Sequence, residues 1–342
     1  MAEPGLQPSP GLSRVSVRPT VAELLADADL REPWKTADSL SGSRFERVRI
    51  RGEPFVVKYV CVDDDWILRA TGDLNCRQLE LFGSAVLHRL PGEIDHAVVA
   101  CAPFTSSRGH RGAALLMREV GAWLVPPGST PIRPEAQRLF IAHMARMHAT
   151  YWGFRDDQEL FPLAHHYLFL TPAMARLELA GGGQDPVPPA VAAGWRELVA
   201  GHPAEARLLA GLADDPGPLL AVLGRGPRTL IHGDWKLGNL GSHPDGRTIL
   251  LDWDRCGAGP PLVDLAWYLA VNCDRLPESK EATIARYRAG LEGGGIATSG
   301  WWDEQLAAAL VGAFLQLGWS KTADQREFGW WADRAAESGW LG

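Results

Sequence analysis

Thr229-Leu-Ile-His-Gly-Asp-Trp-Lys-Leu-Gly-Asn-Leu240, with Thr248-Ile-Leu-Leu-Asp-Trp-Asp254 a few residues on, decides how this chain is read. The apolar runs Thr229–Ile231 and Thr248–Leu251 read as short buried strands. Asp234 stands three residues beyond the first and Asp252 directly after the second, and Pro244-Asp-Gly246 supplies a hairpin turn between them. Two such strands side by side would gather Asp234, Asn239 and Asp252 at one end of a rigid platform. Asn239 and Asp252 offer oxygen ligands that suit Mg²⁺, which takes one or two protein oxygens together with substrate phosphates. Asp234 would then face an incoming hydroxyl. That is an arrangement for moving a phosphoryl group.

The pattern His232-x-Asp234-x-x-x-x-Asn239, followed by Asp252, resembles the catalytic and metal-binding loops of the kinase-like superfamily. His-Gly-Asp and Leu-Asp-Trp are similar to the aminoglycoside phosphotransferase branch, which includes choline kinase relatives. The resemblance implies an α+β, bilobal protein-kinase-like fold, with an antiparallel β-sheet N-lobe carrying one main helix and a mostly helical C-lobe. It implies ATP or GTP with Mg²⁺ as cofactors, Asn239 and Asp252 as the metal ligands, and Asp234 as the group that orients the acceptor hydroxyl. Lys236 would neutralise charge on the γ-phosphoryl oxygens; its alternative is a solvent-facing loop lysine. His232 would lock the loop by hydrogen bonding. Asp264, in Leu262-Val-Asp-Leu-Ala-Trp-Tyr-Leu269, would anchor it from the start of a helix, where a carboxylate also suits the helix dipole. Asp254 has no clear counterpart in the family pattern; it reads as a turn residue, the alternative being that it assists a metal.

Composition is that of a soluble globular protein. At 342 residues, 46% apolar and 22% charged, the chain can bury a substantial core. A net charge of −7 leaves no basic stripe for nucleic acid, and a modest acid excess is compatible with a cationic small substrate. Five scattered cysteines (61, 76, 101, 256 and 273) include no Cys-x-x-Cys and read as reduced thiols. The Pro/Ser/Gly-rich start lacks the apolar core of a signal peptide, and no run approaches a membrane span, so a cytoplasmic location is expected.

Working outward, residues 1–20 read as a loose tail, 21–120 as the N-lobe and 121–342 as the C-lobe. A helix is expected at Thr20–Ala28 with Thr20 and Glu23 as a capping box. Strands are expected at Trp34–Leu40, Phe45–Ile50, Pro54–Val62, Ala97–Phe104 and Ala113–Glu119. Lysine occurs only at positions 35, 58, 236, 280 and 321, and Lys58 lies inside an apolar strand. It reads as a point cation for the α/β-phosphates, or else as a solvated strand-edge residue. Asn75–Leu90 has a helical pattern whose one acid is Glu80, the expected partner of Lys58, or else a solvated residue of the helix face. Asp63-Asp-Asp65 reads as a solvated acidic turn. Ser41-Gly42-Ser43 stands where kinases place a glycine-rich loop, and its backbone N–H groups could meet phosphate. By resemblance, Met117, Arg118 and Val120 form the hinge that offers backbone groups to a purine.

Helices are expected over Glu135–Trp152, Ala190–Gly201, Ala204–Ala213, Pro277–Leu291, Trp301–Gly318 and about Asp324–Ser338. His143 and His148 read as packing or capping residues, and most of the C-terminal tryptophans as core. The function expected is transfer of the γ-phosphoryl group to a hydroxyl of an antibiotic of aminoglycoside or nucleoside type, giving resistance. The alternatives are a metabolic kinase for choline, an amino sugar or homoserine, and a nucleotide-binding pseudokinase. Survival of both the acid and the metal ligands speaks against the last.

Overall fold

The computed structural model describes residues 14–34 and 42–341. The N-terminal half is a six-stranded sheet in the order β1-β6-β7-β4-β3-β2. Its strands are β1 (Ser16–Val17), β2 (Ala28–Trp34), β3 (Arg44–Ile50), β4 (Glu53–Cys61), β6 (Val98–Thr105) and β7 (Arg111–Arg118); β5 (Ile94–Asp95) belongs elsewhere. All pairings are antiparallel except β1 with β6. Side chains alternate across a strand. On β4, Val57 and Tyr59 pack with Leu24 and Leu25 beneath one face, while Val60 joins the main core on the other. Lys58 shares the face of Val60. The alternation therefore aims the lysine toward the rest of the molecule.

Several expectations shift here. The helix at Thr20 is a single turn, α1 (Val21–Leu24), capped by Thr20 Oγ1, which accepts from the Glu23 amide at 3.2 Å. Its expected last residue instead opens β2, an exposed edge strand whose charges and Pro33 masked it, since an edge tolerates both. The expected strand Trp34–Leu40 lies outside the described residues beyond Trp34, as do Ser41 and residues 1–13. Residues 16–17 are not part of a loose tail: they pair with Ala100 and Cys101, and the Arg18 amide donates to the Cys101 carbonyl at 2.8 Å. The helix expected over Asn75–Leu90 breaks into α3 (Arg77–Gly83) and a 3-10 turn at Val86–Arg89, with a separate short helix, α2 (Trp66–Ala70), before them. Ser84 makes the break, its hydroxyl donating to the Leu81 carbonyl and accepting from the Val86 amide.

The C-terminal half is mostly helical: α4 (Pro134–Thr150), α5 (Pro172–Ala180), α6 (Val187–Gly201), α7 (Pro203–Asp214), α8 (Gly217–Leu223), α9 (Leu262–Val271), α10 (Lys280–Gly293), α11 (Trp302–Leu317) and α12 (Gln325–Glu337). Residues 262–270 of α9 are all buried, and α11 is nearly so. A helix apolar on every side must sit in the interior, and these two pack on each other as the lobe's centre. Trp302 and Trp331 are core; Trp301, Trp319, Trp330 and Trp340 are half-buried. All five cysteines are free and four are buried. No helix among the described residues is long and apolar enough to cross a membrane.

Short strands carry the quoted stretch: β8 (Thr229–Ile231), β9 (Leu240–Ser242), β10 (Thr248–Leu250) and β11 (Gly257–Gly259). The expectation that Thr229–Ile231 and Thr248–Leu251 lie side by side is corrected. β8 pairs with β11, whereas β10 pairs with β9 across the Pro244-Asp-Gly246 turn and with β5 on its other edge. Parity of spacing does not choose partners, and the closer hairpin β9–β10 forms instead.

Candidate active site

The loop begins where β8 ends. Gly233 has φ +80, and a Cβ there would stand 2.5 Å from the Arg255 carbonyl and from His166 Cε1, so only glycine fits. Asp264, wholly buried in the first turn of α9, accepts the amides of His232 and Gly233, each at 2.7 Å, through its two oxygens. His148 of α4 lies 3.1 Å from the same carboxylate and 2.5 Å from the Tyr287 hydroxyl. Burial pushes the His232 imidazole down to about 4, leaving it neutral, and its Nδ1 accepts the Asp234 amide at 3.1 Å. His232 thus spends a ring nitrogen on shaping the loop.

Asp234 is the hub. Its Oδ1 accepts from the Trp267 indole at 2.9 Å and pairs with Arg255 Nη2 at 2.5 Å. Its Oδ2 accepts from Asn239 Nδ2 at 3.0 Å and faces Lys236 Nζ at 3.1 Å. Burial pushes this carboxyl up, but Arg255 and Lys236 outweigh it and hold Asp234 well below the usual carboxylate range. Arg255 is itself buried, sandwiched over the rings of Trp267 (4.3 Å) and Phe169 (4.9 Å).

Asp252 follows β10 in a left-handed conformation (φ +60) and pairs through Oδ1 with Lys58 Nζ at 2.7 Å. Burial opposes its ionisation, yet Lys58 and Lys236 keep its carboxyl low. Burial pushes neighbouring Asp254 up to about 7; Lys58 opposes and the Asp252 charge adds to the rise. The reading of Asp254 as a plain turn residue misses this environment.

A model of the phosphotransferase enzyme family (APH) matches residues 79–301, most of the chain and all of this loop region. The chain belongs to that family. No curated protein sequence matches it significantly. Among solved structures it is similar to a choline kinase from Streptococcus pneumoniae, with 13% identity over 93% of this chain and 98% of that one and a TM-score of 0.50. It is also similar to a microcompartment-associated aminopropanol kinase, with 15% identity over 92% and 93% and a TM-score of 0.54. At such identities the likeness is one of fold, the bilobal kinase-like fold.

In this phosphotransferase the structure brings Lys58, Asp234, Lys236, Asn239 and Asp252 to one place, braced by His232 and Asp264. It does not bring Glu80 there. Glu80 is half exposed on α3 and pairs with Arg111 Nη1 at 3.1 Å. α3 starts only at Arg77, and its buried face presents Gln78, Leu79, Leu81 and Phe82, so Glu80 points outward. The carboxylates acting on Lys58 are Asp252, Asp254 and Asp65. Asp65 is not solvated: it is buried, its Oδ1 caps α2 through the Ile67 and Leu68 amides, and its Oδ2 accepts the Ser43 hydroxyl at 2.9 Å. Ser43 therefore turns its hydroxyl inward. Gly42 (φ +85) lies so close to the Asp64 carbonyl that a Cβ would sit 2.1 Å from it.

At the hinge, Met117 pairs with Val56 and Val98, the Arg118 amide donates to the Ala97 carbonyl at 3.0 Å, and Val120 packs with Ala97 and Ile249. The Arg118 guanidinium pairs with buried Asp95, which Arg247 of the β9–β10 hairpin also approaches at 3.3 Å.

Sequence reading missed Arg255 and Trp267, and it placed His148 as a buried packing residue without its link to Asp264. Arg255 had a local signal, a third charged residue directly after Asp252-Trp-Asp254. The others act across the fold. A direct check follows for Glu80: Glu80→Gln should change unfolding free energy by no more than about 0.5 kcal/mol, as for other exposed positions. Nucleotide affinity, read by titration calorimetry, should not move, whereas Lys58→Ala should weaken it. A drop in affinity for Glu80→Gln would restore it as the partner of Lys58.

Proposed function

We propose that this phosphotransferase is a small-molecule kinase that moves the γ-phosphoryl group of ATP or GTP to an acceptor hydroxyl. What carries the reading is the set of four donors fixing both oxygens of Asp234 beside the Lys58–Asp252 pair. In this reading residues 21–120 supply the nucleotide contacts, including the hinge backbone at Met117–Val120 and the 41–43 loop, and residues 121–342 supply the acceptor site.

The residues fit Mg²⁺. With Asn239 Nδ2 committed to Asp234, its Oδ1 is the atom left for a metal, and Asp252 is held ionised with an ammonium standing in for a cation. Mg²⁺ is commonly held by one or two protein oxygens together with phosphate oxygens and water. Bound there by Asn239 and Asp252, Mg²⁺ would neutralise charge on the β- and γ-phosphates.

Asp234 receives the acceptor hydroxyl in a fixed direction, because its rotamer is tied by the Trp267 indole and the Arg255 guanidinium. An acid held this low does not take the proton early. It accepts it late, as the oxygen bonds to phosphorus and its proton becomes acidic, consistent with a reaction driven by positioning and charge neutralisation. Lys236 offers positive charge to the departing phosphoryl oxygens, and Lys58 to the α/β-phosphates. Beside Lys236 a cleft of about 320 Å³ opens between Gly128–Ser129, Leu237–Gly238 and the side chains of Asn272, Asp274 and Arg275, room for part of a small acceptor.

For the acceptor we propose an antibiotic of aminoglycoside or nucleoside type, and next a small metabolic alcohol such as choline, an amino sugar or homoserine. The protein would be incubated with Mg·ATP or Mg·GTP and a panel of these compounds, and products read by mass spectrometry. A phosphorylated member identifies the class. No product across the panel, together with no nucleotide-dependent thermal shift, would end the kinase reading.

A further inference from the structure

α9 meets the catalytic loop at more than Asp264. Asp264 and Trp267, three residues apart, share one face of α9, and Asn272 caps the end of that helix. Asp264 holds the loop at its start and Trp267 holds the carboxylate of Asp234. Asn272 holds the far side. It is 5% exposed; its Oδ1 accepts the Leu237 amide at 2.8 Å, and its Nδ2 donates to the Trp235 carbonyl at 3.1 Å. Those two groups belong to the peptide units on either side of Lys236. One side-chain amide thus pins both planes that set the Lys236 backbone, which is extended at φ −102, ψ 151. The same Nδ2 is tied to the Tyr268 carbonyl at 2.9 Å, fixing the amide to the end of α9.

We propose that Asn272 is a positioning residue for Lys236, keeping its ammonium 3.1 Å from Asp234 and aimed at the transferred phosphoryl group. The proposal rests on the reading of Lys236 as the cation facing that group. Both fixed peptides are those that bracket Lys236, so turnover measured without acceptor reads Asn272 through that lysine. A lysine stem is long and mobile, and its direction follows from where its backbone is held. A displacement of about 1 Å at a reacting centre can lower turnover about 100-fold.

Asn272→Ala and Asn272→Asp would each be made in the natural chain and in Lys236→Ala. Turnover would be read as Mg·ATP hydrolysis without acceptor, and the loop by hydrogen exchange of the Leu237 amide. Asn272→Ala should lower kcat between about 10- and 100-fold with little change in the KM for ATP, and should speed Leu237 exchange. In the Lys236→Ala background the same substitution should lower kcat by less than about twofold, since residues acting as one unit are not additive. Asn272→Asp keeps the acceptor for the Leu237 amide but loses the donor to Trp235, so exchange stays slow while kcat falls partway. Equal losses in both backgrounds, or Leu237 exchange unchanged in Asn272→Ala, would overturn the proposal. Absence of any nucleotide hydrolysis in the natural chain would count against the kinase reading instead, and the exchange measurement would still judge Asn272.

Discussion

Asp234→Asn should lower kcat by between about 10²- and 10⁴-fold, the range for loss of a positioned acid–base group. The nucleotide dissociation constant should hardly change. The side chain keeps its size, but it loses the charge that faces Arg255 Nη2 at 2.5 Å and Lys236 Nζ at 3.1 Å. One of the two oxygens becomes an N–H donor, and every neighbour of that carboxylate is a donor too: Trp267, Asn239, Arg255 and Lys236. The variant should therefore unfold at lower denaturant as well as turn over slowly. Purine and α/β-phosphate contacts lie elsewhere, so titration with nucleotide isolates the two effects. Turnover near that of the natural chain would remove Asp234 from its role, whatever the stability result.

The loop was legible because its chemistry is local. His232, Asp234, Asn239 and Asp252 lie within about twenty residues, and short strands with a turn between them are written in apolar runs and Pro244-Asp-Gly246. The same locality misled over pairing, since β8 and β10 each have a better neighbour than the other. Lys58 could be singled out as the charge within an apolar strand. Its partner could not, because Glu80 and Asp252 are both acids, and only the approach of the lobes puts Asp252 at 2.7 Å and leaves Glu80 with Arg111. Asp65 looks like a surface acid in sequence; burial, which depends on the whole fold, makes it part of the site. Trp267 and Asn272 did leave a trace: hydrogen-bonding groups spaced along Leu262-Val-Asp-Leu-Ala-Trp-Tyr-Leu-Ala-Val-Asn272 with no reason to be there unless something needs holding.

Asp264→Ala is expected to be the most destabilising of the substitutions considered. It strips the acceptor from two buried amides, His232 and Gly233, and from His148, all in a region without solvent. Each orphaned buried group costs about 1–3 kcal/mol, so a loss of about 3 kcal/mol or more is expected. That is a large part of the roughly 5–15 kcal/mol that folded domains possess. The pH dependence identifies the cause. Burial pushes the Asp264 carboxyl up, but the His148 hydrogen bond and charge, with the neighbouring imidazole and amide of His232, bring it below its ordinary 3.8. A group lowered on folding contributes its full stability above the unfolded value and loses it as the pH falls through the folded one. The difference between natural chain and variant in urea midpoint should then be constant from neutral pH down to about 5. It should shrink only below the ordinary carboxylate value. A midpoint unchanged at neutral pH would show that the loop holds without its anchor. A difference that vanished already near pH 6 would assign the effect to another group.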